Sequence, residues 1–313
     1  MTLQLPTPDT PFQIGTRGSP LALAQAYETR RRLMAAFDLP EDAFGIRIIK
    51  VTGDAIQDRA LKEIGGKGLF TREIEEALLD GTIDIAVHST KDMPVDQPKG
   101  LILDTYLPRE DVRDAFISHT ANGIADLPDG ATVGTSSLRR RAQLLVRRPD
   151  LNVVEFRGNV QTRLRKLQDG VAVATFLAQA GLNRLEMSDV PHHPIEPDDM
   201  LPAIAQGAIG IERRLDDRRA AEMLEALHHA ETGQRLVAER AFLAALDGSC
   251  ETPIAGLAEL RGGSLRLRGE ILKTDGSAAF SDDQVAPTED GAELGRAMAE
   301  KLLTQAGPNF LHT

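Results

Sequence analysis

The segment HSTKDMP, residues 88–94, sets a lysine beside an aspartate directly after the apolar run TIDIAVHS. In parallel α/β sheets ligands gather beyond the carboxyl ends of strands, so Lys91 and Asp92 fall where a ligand would be met. Lysine supplies a cation for a substrate carboxylate. Aspartate supplies a base, or a negative charge beside a developing cation. A plain loop ion pair uses the same two residues. A Ser–His–Asp triad fits poorly, because Ser89 lacks the glycines of a nucleophile elbow.

A second chemistry recurs at the starts of helices. In GTSSLRRRAQLL, residues 134–145, Thr135, Ser136 and Ser137 stand where a helix begins, with Arg139 and Arg140 in its first turns. Free N–H groups, the positive end of the helix dipole and hydroxyl donors converge there on an anion such as a carboxylate or phosphate. Arg157-Gly158-Asn159 repeats the theme ahead of a helix carrying Arg163, Arg165 and Lys166. Arg17 and Ser19 in IGTRGSPLALAQ occupy a third such position. The alternative at each is an ordinary N-cap followed by a solvated basic face.

Cys250, the one cysteine, lies in LDGSCETPIAG, where Gly248, Ser249 and Pro253 describe an accessible loop. A thiolate there could attack a carbon electrophile, whereas a lone cysteine is more often an inert buried residue. The histidine pairs 192–193 and 228–229 are adjacent, not spaced to share a helix face, and no metal site is expected. The polar segment 51–70 is not a phosphate-binding P-loop. Lys67 precedes Gly68 where serine or threonine is required, and a GxGxxG fingerprint is also missing.

These residues need elements to position them. Strands are expected at Phe12–Thr16, Gly45–Val51 and Ile83–His88, and helices from Pro20 to about Ala36 and over Phe70–Asp80, with the pattern starting again after Leu101–Leu107. A second α/β unit follows: strands Thr132–Gly134, Asn152–Phe156 and Val171–Thr175, with helices Ser137–Arg147 and Asn159–Gln168. Strand–helix alternation points to parallel sheets covered on both faces. Met187–Met200, with three prolines, reads as a loop or crossing linker. From Arg218 the order changes to two helices, strands near Ile254–Leu260 and Ser264–Lys273, and a helix over Gly291–Gln305, as in a small α+β domain.

At 313 residues the chain has room for two domains or three small ones, and 42% hydrophobic residues make a buried core feasible. Its 36 Lys/Arg against 47 Asp/Glu give a net charge of −11, unfavourable for binding nucleic acid or an anionic membrane. Residues 134–170 invert that balance, with nine Lys/Arg and three acids. An acidic protein with such an island handles something small and negatively charged. No apolar run approaches the ~20 residues that cross a bilayer. The N-terminal MTLQLPTPDTPFQ has no basic stretch followed by an apolar core, and a single cysteine suits a reducing compartment, so a cytoplasmic location is expected.

In this order, IGTRGSPLALAQA, GGKGLF, DIAVHSTKDMP, VGTSSLRRRAQL, RGNVQTRL, AGLNRL, LPAIAQGAIGIE and the cysteine loop resemble the porphobilinogen deaminase (hydroxymethylbilane synthase) family. The likeness runs from about residue 13 to beyond residue 260. It implies an α/β fold of two similar domains like those of two-lobed periplasmic binding proteins, plus a smaller α+β C-terminal domain. The implied boundaries are 1–108 with 208–226, 109–207, and 227–313. It implies that Cys250 carries a dipyrromethane cofactor through a thioether, and that Asp92 is the catalytic carboxylate. Four porphobilinogen molecules would be condensed head to tail with loss of ammonia, and hydrolysis would release hydroxymethylbilane.

By motif position Lys91, Ser137, Arg139, Arg140 and Asp92 would meet the cofactor. Arg17, Ser19, Lys67, Thr135, Ser136, Arg157, Arg163 and Arg184 would meet the carboxylates of the substrate. The resemblance also implies a monomer, with possible hand-over of product to uroporphyrinogen III synthase. Ala205 departs from the family pattern by replacing a glycine, as do Val173 for aspartate, Glu63 for lysine and Ser249 for a second glycine. A non-catalytic anion-binding or transport module would share the two-lobed architecture but would have no use for the Cys250 loop.

Overall fold

The computed structural model describes residues 3–51, 71–249, 252–307 and 309–312. In chain order the strands are β1 (Phe12–Arg17), β2 (Phe44–Ile49), β3 (Ile85–Ser89), β4 (Leu101–Tyr106), β5 (Asp114–Ser118), β6 (Thr132–Gly134), β7 (Asn152–Val154), β8 (Ala174–Ala178), β9 (His193–Ile195), β10 (Ile209–Arg214), β11 (Ile254–Arg261), β12 (Ser264–Leu272) and β13 (Ala279–Pro287). The helices are α1 (Pro20–Phe37), α2 (Arg72–Leu79), α3 (Leu138–Arg147), α4 (Val160–Gln168), α5 (Gln179–Arg184), α6 (Arg218–Glu225), α7 (Ala230–Ala245) and α8 (Gly291–Ala306). They fall into two compact units, Met1–Glu110 with Ala208–Gly233, and Asp111–Gly207 with Gln234–Thr313.

The first unit is built on a five-stranded sheet of order β2-β1-β3-β10-β4. β1 runs parallel to β2 and β3, whereas β10 is antiparallel to both its neighbours, β3 and β4. The sheet is therefore mixed, not parallel throughout as the strand–helix alternation suggests. Phe12, Ile14, Ile85, Val87, Ile209 and Ile211 face α1 and α6, meeting Leu33, Met223 and Leu224. On the other face Ile83, Ala86 and Leu101 pack with Ile74 and Leu78 of α2. Burying each large apolar side chain contributes roughly 1.5–3 kcal/mol.

The second unit holds a sheet of order β7-β6-β8-β5-β9. The pattern is that of the first sheet: β6 lies between β7 and β8 and runs parallel to both, and β5 is the antiparallel member. Each antiparallel strand is the first strand after the chain enters that unit from the other, β5 after Glu110 and β10 after Gly207. A chain arriving from elsewhere needs no crossover helix, so it can pair in the opposite direction. The segment expected to be a loop over Met187–Met200 contributes β9, which pairs with β5 through His193–Ile195.

The same unit contains an antiparallel sheet β11-β12-β13. β12 alternates buried and half-buried residues, while β13 is an edge strand with Asp282 and Asp283 at its centre. Gly295 lets α8 approach α7 closely, since a Cβ there would stand 2.4 Å from the Ala238 carbonyl oxygen. Among the described residues no helix is long and apolar enough to cross a membrane.

Candidate active site

In the first unit the parallel strands β1 and β3 end side by side, and a hollow opens at their carboxyl ends. Arg17 is the last residue of β1. Ser19 caps α1, accepting from the Ala22 N–H at 3.3 Å, and Pro20 fills the first turn, where a missing N–H costs nothing. After β3 the chain makes one 3₁₀ turn, Thr90–Asp92, closed by the Met93 N–H donating to the Thr90 carbonyl at 3.1 Å. Arg17, Ser19, His88 and Asp92 all line the hollow, as does Gln25, whose carboxamide donates to Ser89 Oγ at 2.8 Å.

Asp92 is exposed, and its carboxylate has no hydrogen-bond or ion-pair partner among the described residues. Lys91 is half-buried on the same turn. The turn is anchored from behind. The Thr90 N–H donates to the Ala208 carbonyl at 3.0 Å, and Thr90 itself is buried against β10. Gly210 makes that possible, because a Cβ there would lie 2.8 Å from Thr90 Oγ1 and 2.9 Å from Leu103 Cδ1.

In the second unit β6 and β7 lead to two neighbouring helix starts. Thr135 donates its N–H to the Val154 carbonyl at 2.9 Å, and its hydroxyl oxygen accepts from the Ser137 N–H at 3.2 Å. Ser136 Oγ accepts from the Phe156 N–H at 2.9 Å, tying the two junctions together. Ser137 caps α3, accepting from the Arg140 N–H at 3.4 Å. Asn159 caps α4 by accepting from the Thr162 N–H at 2.9 Å, preceded by Gly158 at φ +114°, a conformation closed to other residues.

Around the second start, Arg163 Nε donates to the Gly158 carbonyl at 3.0 Å, and Arg157 is half-buried 3.9 Å from Glu155. Arg184 ends α5, donating to the Gly207 carbonyl at 3.0 Å. Arg139 and Arg140 do not stand open on a solvated helix face. Both are 4% exposed, and both reach Asp114 at the start of β5: Arg139 Nη1 to Oδ2 and Arg140 Nη2 to Oδ1, each 2.7 Å. Gln206 Nε2 donates to the same carboxylate at 2.9 Å.

Burial alone would raise the Asp114 carboxyl, but the two guanidiniums outweigh it and hold it well below the usual carboxylate range. Burial is also the largest influence on Arg139, lowering it from its ordinary value. One donor of this group, Arg139 Nε, is buried without a partner among the described residues.

The structure thus gathers Arg17, Ser19 and Asp92 in one hollow, and Thr135, Ser136, Ser137, Arg139, Arg140, Arg157 and Arg163 about two helix starts. Lys67 and Cys250 lie outside the described residues. Sequence reasoning missed Asp114, Gln206 and Gln25. The signal for Asp114 was an acid opening a strand with an apolar middle, DAFIS, a residue that burial tolerates only with partners.

Residues 12–222 match the family model described as "Porphobilinogen deaminase, dipyromethane cofactor binding domain", and residues 234–304 match "Porphobilinogen deaminase, C-terminal domain". The porphobilinogen deaminase of Paracoccus denitrificans is 65% identical over 307 residues, covering 98% of each chain. Among solved structures, a periplasmic substrate-binding protein of an ABC transporter from Coxiella burnetii is similar, with a TM-score of 0.40 and 15% identity over 71% of this chain and 93% of that one. A putative methionine-binding lipoprotein from Bacillus subtilis gives a TM-score of 0.41 and 13% identity over 72% and 93%.

Proposed function

The chain belongs to the porphobilinogen deaminase family, and from that premise we propose which of its own residues carry out the family's reaction. The family's enzymes are transferases of tetrapyrrole and haem biosynthesis. They condense four porphobilinogen molecules head to tail with loss of ammonia, and hydrolysis releases hydroxymethylbilane.

Asp92 is the catalytic carboxylate. The observation that carries this reading is its position: beyond β3, in the hollow shared with Arg17 and Ser19, with its oxygens unengaged by the described residues. A free carboxylate there stabilises the cationic pyrrole formed as ammonia departs from the substrate, and then accepts the proton lost when the new carbon–carbon bond is made. Arg17 and Ser19 hold the acetate and propionate groups of the incoming porphobilinogen, as a cation and a hydroxyl at a helix start can do.

Cys250 anchors the dipyrromethane by a thioether. When bound, that group supplies the pyrrole α-carbon on which the first condensation occurs. Its carboxylates suit the donor set of the second unit, where Arg139 keeps a buried Nε–H without a partner among the described residues. Lys91, Ser137, Arg139 and Arg140 hold this group, while Lys67, Thr135, Ser136, Arg157, Arg163 and Arg184 bind carboxylates of the lengthening chain. Asp114 fixes the Arg139 and Arg140 guanidiniums and leaves the trio one net positive charge, so the anion meets donors already oriented.

The reading extends to three domains, 1–108 with 208–226, 109–207 and 227–313, each built round one of the three sheets. It extends also to a monomer acting in the cytoplasm and passing its product to uroporphyrinogen III synthase. The test of the central claim is Asp92→Asn in cofactor-loaded enzyme. Turnover falls at least about 100-fold while the cofactor remains attached, and near-normal turnover removes Asp92 from the mechanism.

A further inference from the structure

The layer between α2 and the sheet of the first unit is formed largely of Ile74, Leu78, Ile83, Ala86 and Leu101, yet three acid–base groups are buried in it. β3 and β10 run antiparallel with Gly210 opposite His88 and Glu212 opposite Ala86, so Glu212 is the diagonal neighbour of His88 on one face. His88 Nε2 lies 3.2 Å from Glu212 Oε2, the two side chains being 5% and 0% exposed. Glu75, from the first turn of α2, is buried too and hydrogen-bonds the Thr71 side chain. Burial, reinforced by the nearby charge of Glu212, raises the Glu75 carboxyl above its ordinary range. The second oxygen of Glu212, Oε1, is buried with no hydrogen-bond partner among the described residues.

A polar pair in such a place is a poor device for stability, since well-packed apolar side chains usually serve as well or better. Among the described residues, His88 and Thr71 line the same hollow as Asp92. Among the described residues, the groups that can carry charge around His88 are Glu212 on β10, Glu75 on α2, Asp92 on the following turn and Arg17 at the end of β1.

The reaction has a proton to place. In each condensation the substrate's C–N bond breaks, with its electron pair leaving on ammonia. A carbon–carbon bond forms, and the pyrrole α-hydrogen departs as a proton. Ammonia and proton together make one ammonium ion. Asp92 can hold that proton, but it must be cleared before the next of four rounds. We propose that His88 and Glu212 are a proton-holding pair behind Asp92: the proton Asp92 accepts passes to the His88 imidazole, the Glu212 carboxylate stabilises the imidazolium, and the proton leaves with ammonia. This rests on the reading of Asp92 given above. His88 and Glu212 act through Asp92 and touch no reacting atom, so they are positioning residues for its proton.

The test uses cofactor-loaded enzyme carrying His88→Gln or Glu212→Gln, with kcat and KM measured across pH and with imidazole added. The expected result is a fall in kcat on the order of 100-fold, a KM changed less than about 2-fold, a lost limb of the pH profile, and recovery of His88→Gln in proportion to added imidazole base. A loss of kcat that imidazole does not restore, or an unchanged pH profile, overturns the pair. If a variant does not fold, wild-type enzyme labelled with ¹⁵N-histidine decides. The His88 ring-nitrogen signals must change across the pH range over which kcat changes, and fixed signals overturn the proposal. Asp92→Asn in the same assays separates the two readings. If it is inactive while His88→Gln is unimpaired, only the pair falls; if it is active, the reading of Asp92 falls as well.

Discussion

Arg139 Nη1 donates to Asp114 Oδ2 at 2.7 Å across 25 residues of chain, inside a unit where neither side chain meets solvent appreciably. The place of the guanidinium is thus set by β5, not by the helix that bears it. The same carboxylate takes Arg140, which also donates to the Phe176 carbonyl at 2.9 Å.

Asp114→Asn leaves two buried cations without their counter-charge and is expected to cost about 3–5 kcal/mol. The sign with pH follows from the depressed carboxyl. Its stabilisation is complete above the unfolded value near pH 4 and is lost as pH falls through the lower folded value. Thermal unfolding followed from neutral to acid pH should show a steep acid limb for the wild type and a shallower one for the variant. Equal slopes would detach Asp114 from acid stability.

Ala205 sits at φ +59°, in the left-handed region, and its N–H donates to the buried Glu239 at 2.7 Å. That conformation is the physical reason a glycine suits the position. Ala205→Gly removes the Cβ strain but loosens the unfolded chain, for a net gain of about 0.5–1 kcal/mol. The denaturant midpoint should rise, with turnover unchanged; a lower midpoint would mean the strain is not there.

Gly210→Ala forces a methyl against Thr90 Oγ1 and Leu103, a displacement expected to cost about 1–3 kcal/mol. Thr90 begins the turn that ends at Asp92, so kcat should fall more than stability alone explains. Adding Thr90→Ala removes one of the two clashing atoms and should return part of the rate. An unchanged kcat in Gly210→Ala would show that the turn does not transmit the shift.

Intact-protein mass should exceed the 33.9 kDa of the chain by one dipyrromethane. Cys250→Ala should lose both that increment and turnover. An active preparation with the bare mass would refute covalent attachment, and a variant that keeps its increment would place the attachment elsewhere.

Much of the secondary structure was legible because it is decided locally. Ser19, Ser137 and Asn159 each cap a helix by accepting from an N–H three residues on, and all three helix starts fell where the hydroxyl and amide residues indicate. Strands β5, β10 and β13 escaped that reading. The first two are buried on both faces and show no alternation, and the third carries two acids and a proline on an exposed edge. The site divided in the same way. Arg17, Ser19, Asp92 and the arginine-bearing helix starts announced themselves by type and position after strands, while Asp114, Gln206 and Gln25 did not.

By its residues alone the chain determined its family, the helix caps and the turn that presents Asp92, since each depends on neighbours a few positions away. Only the tertiary structure decided that Glu212 would face His88 across 124 residues and that Asp114 would claim both arginines. Those partners meet because β10 and β5 enter their sheets against the direction of β3 and β8. Strand direction and register emerge from the packing of a whole unit, and no local pattern encodes them.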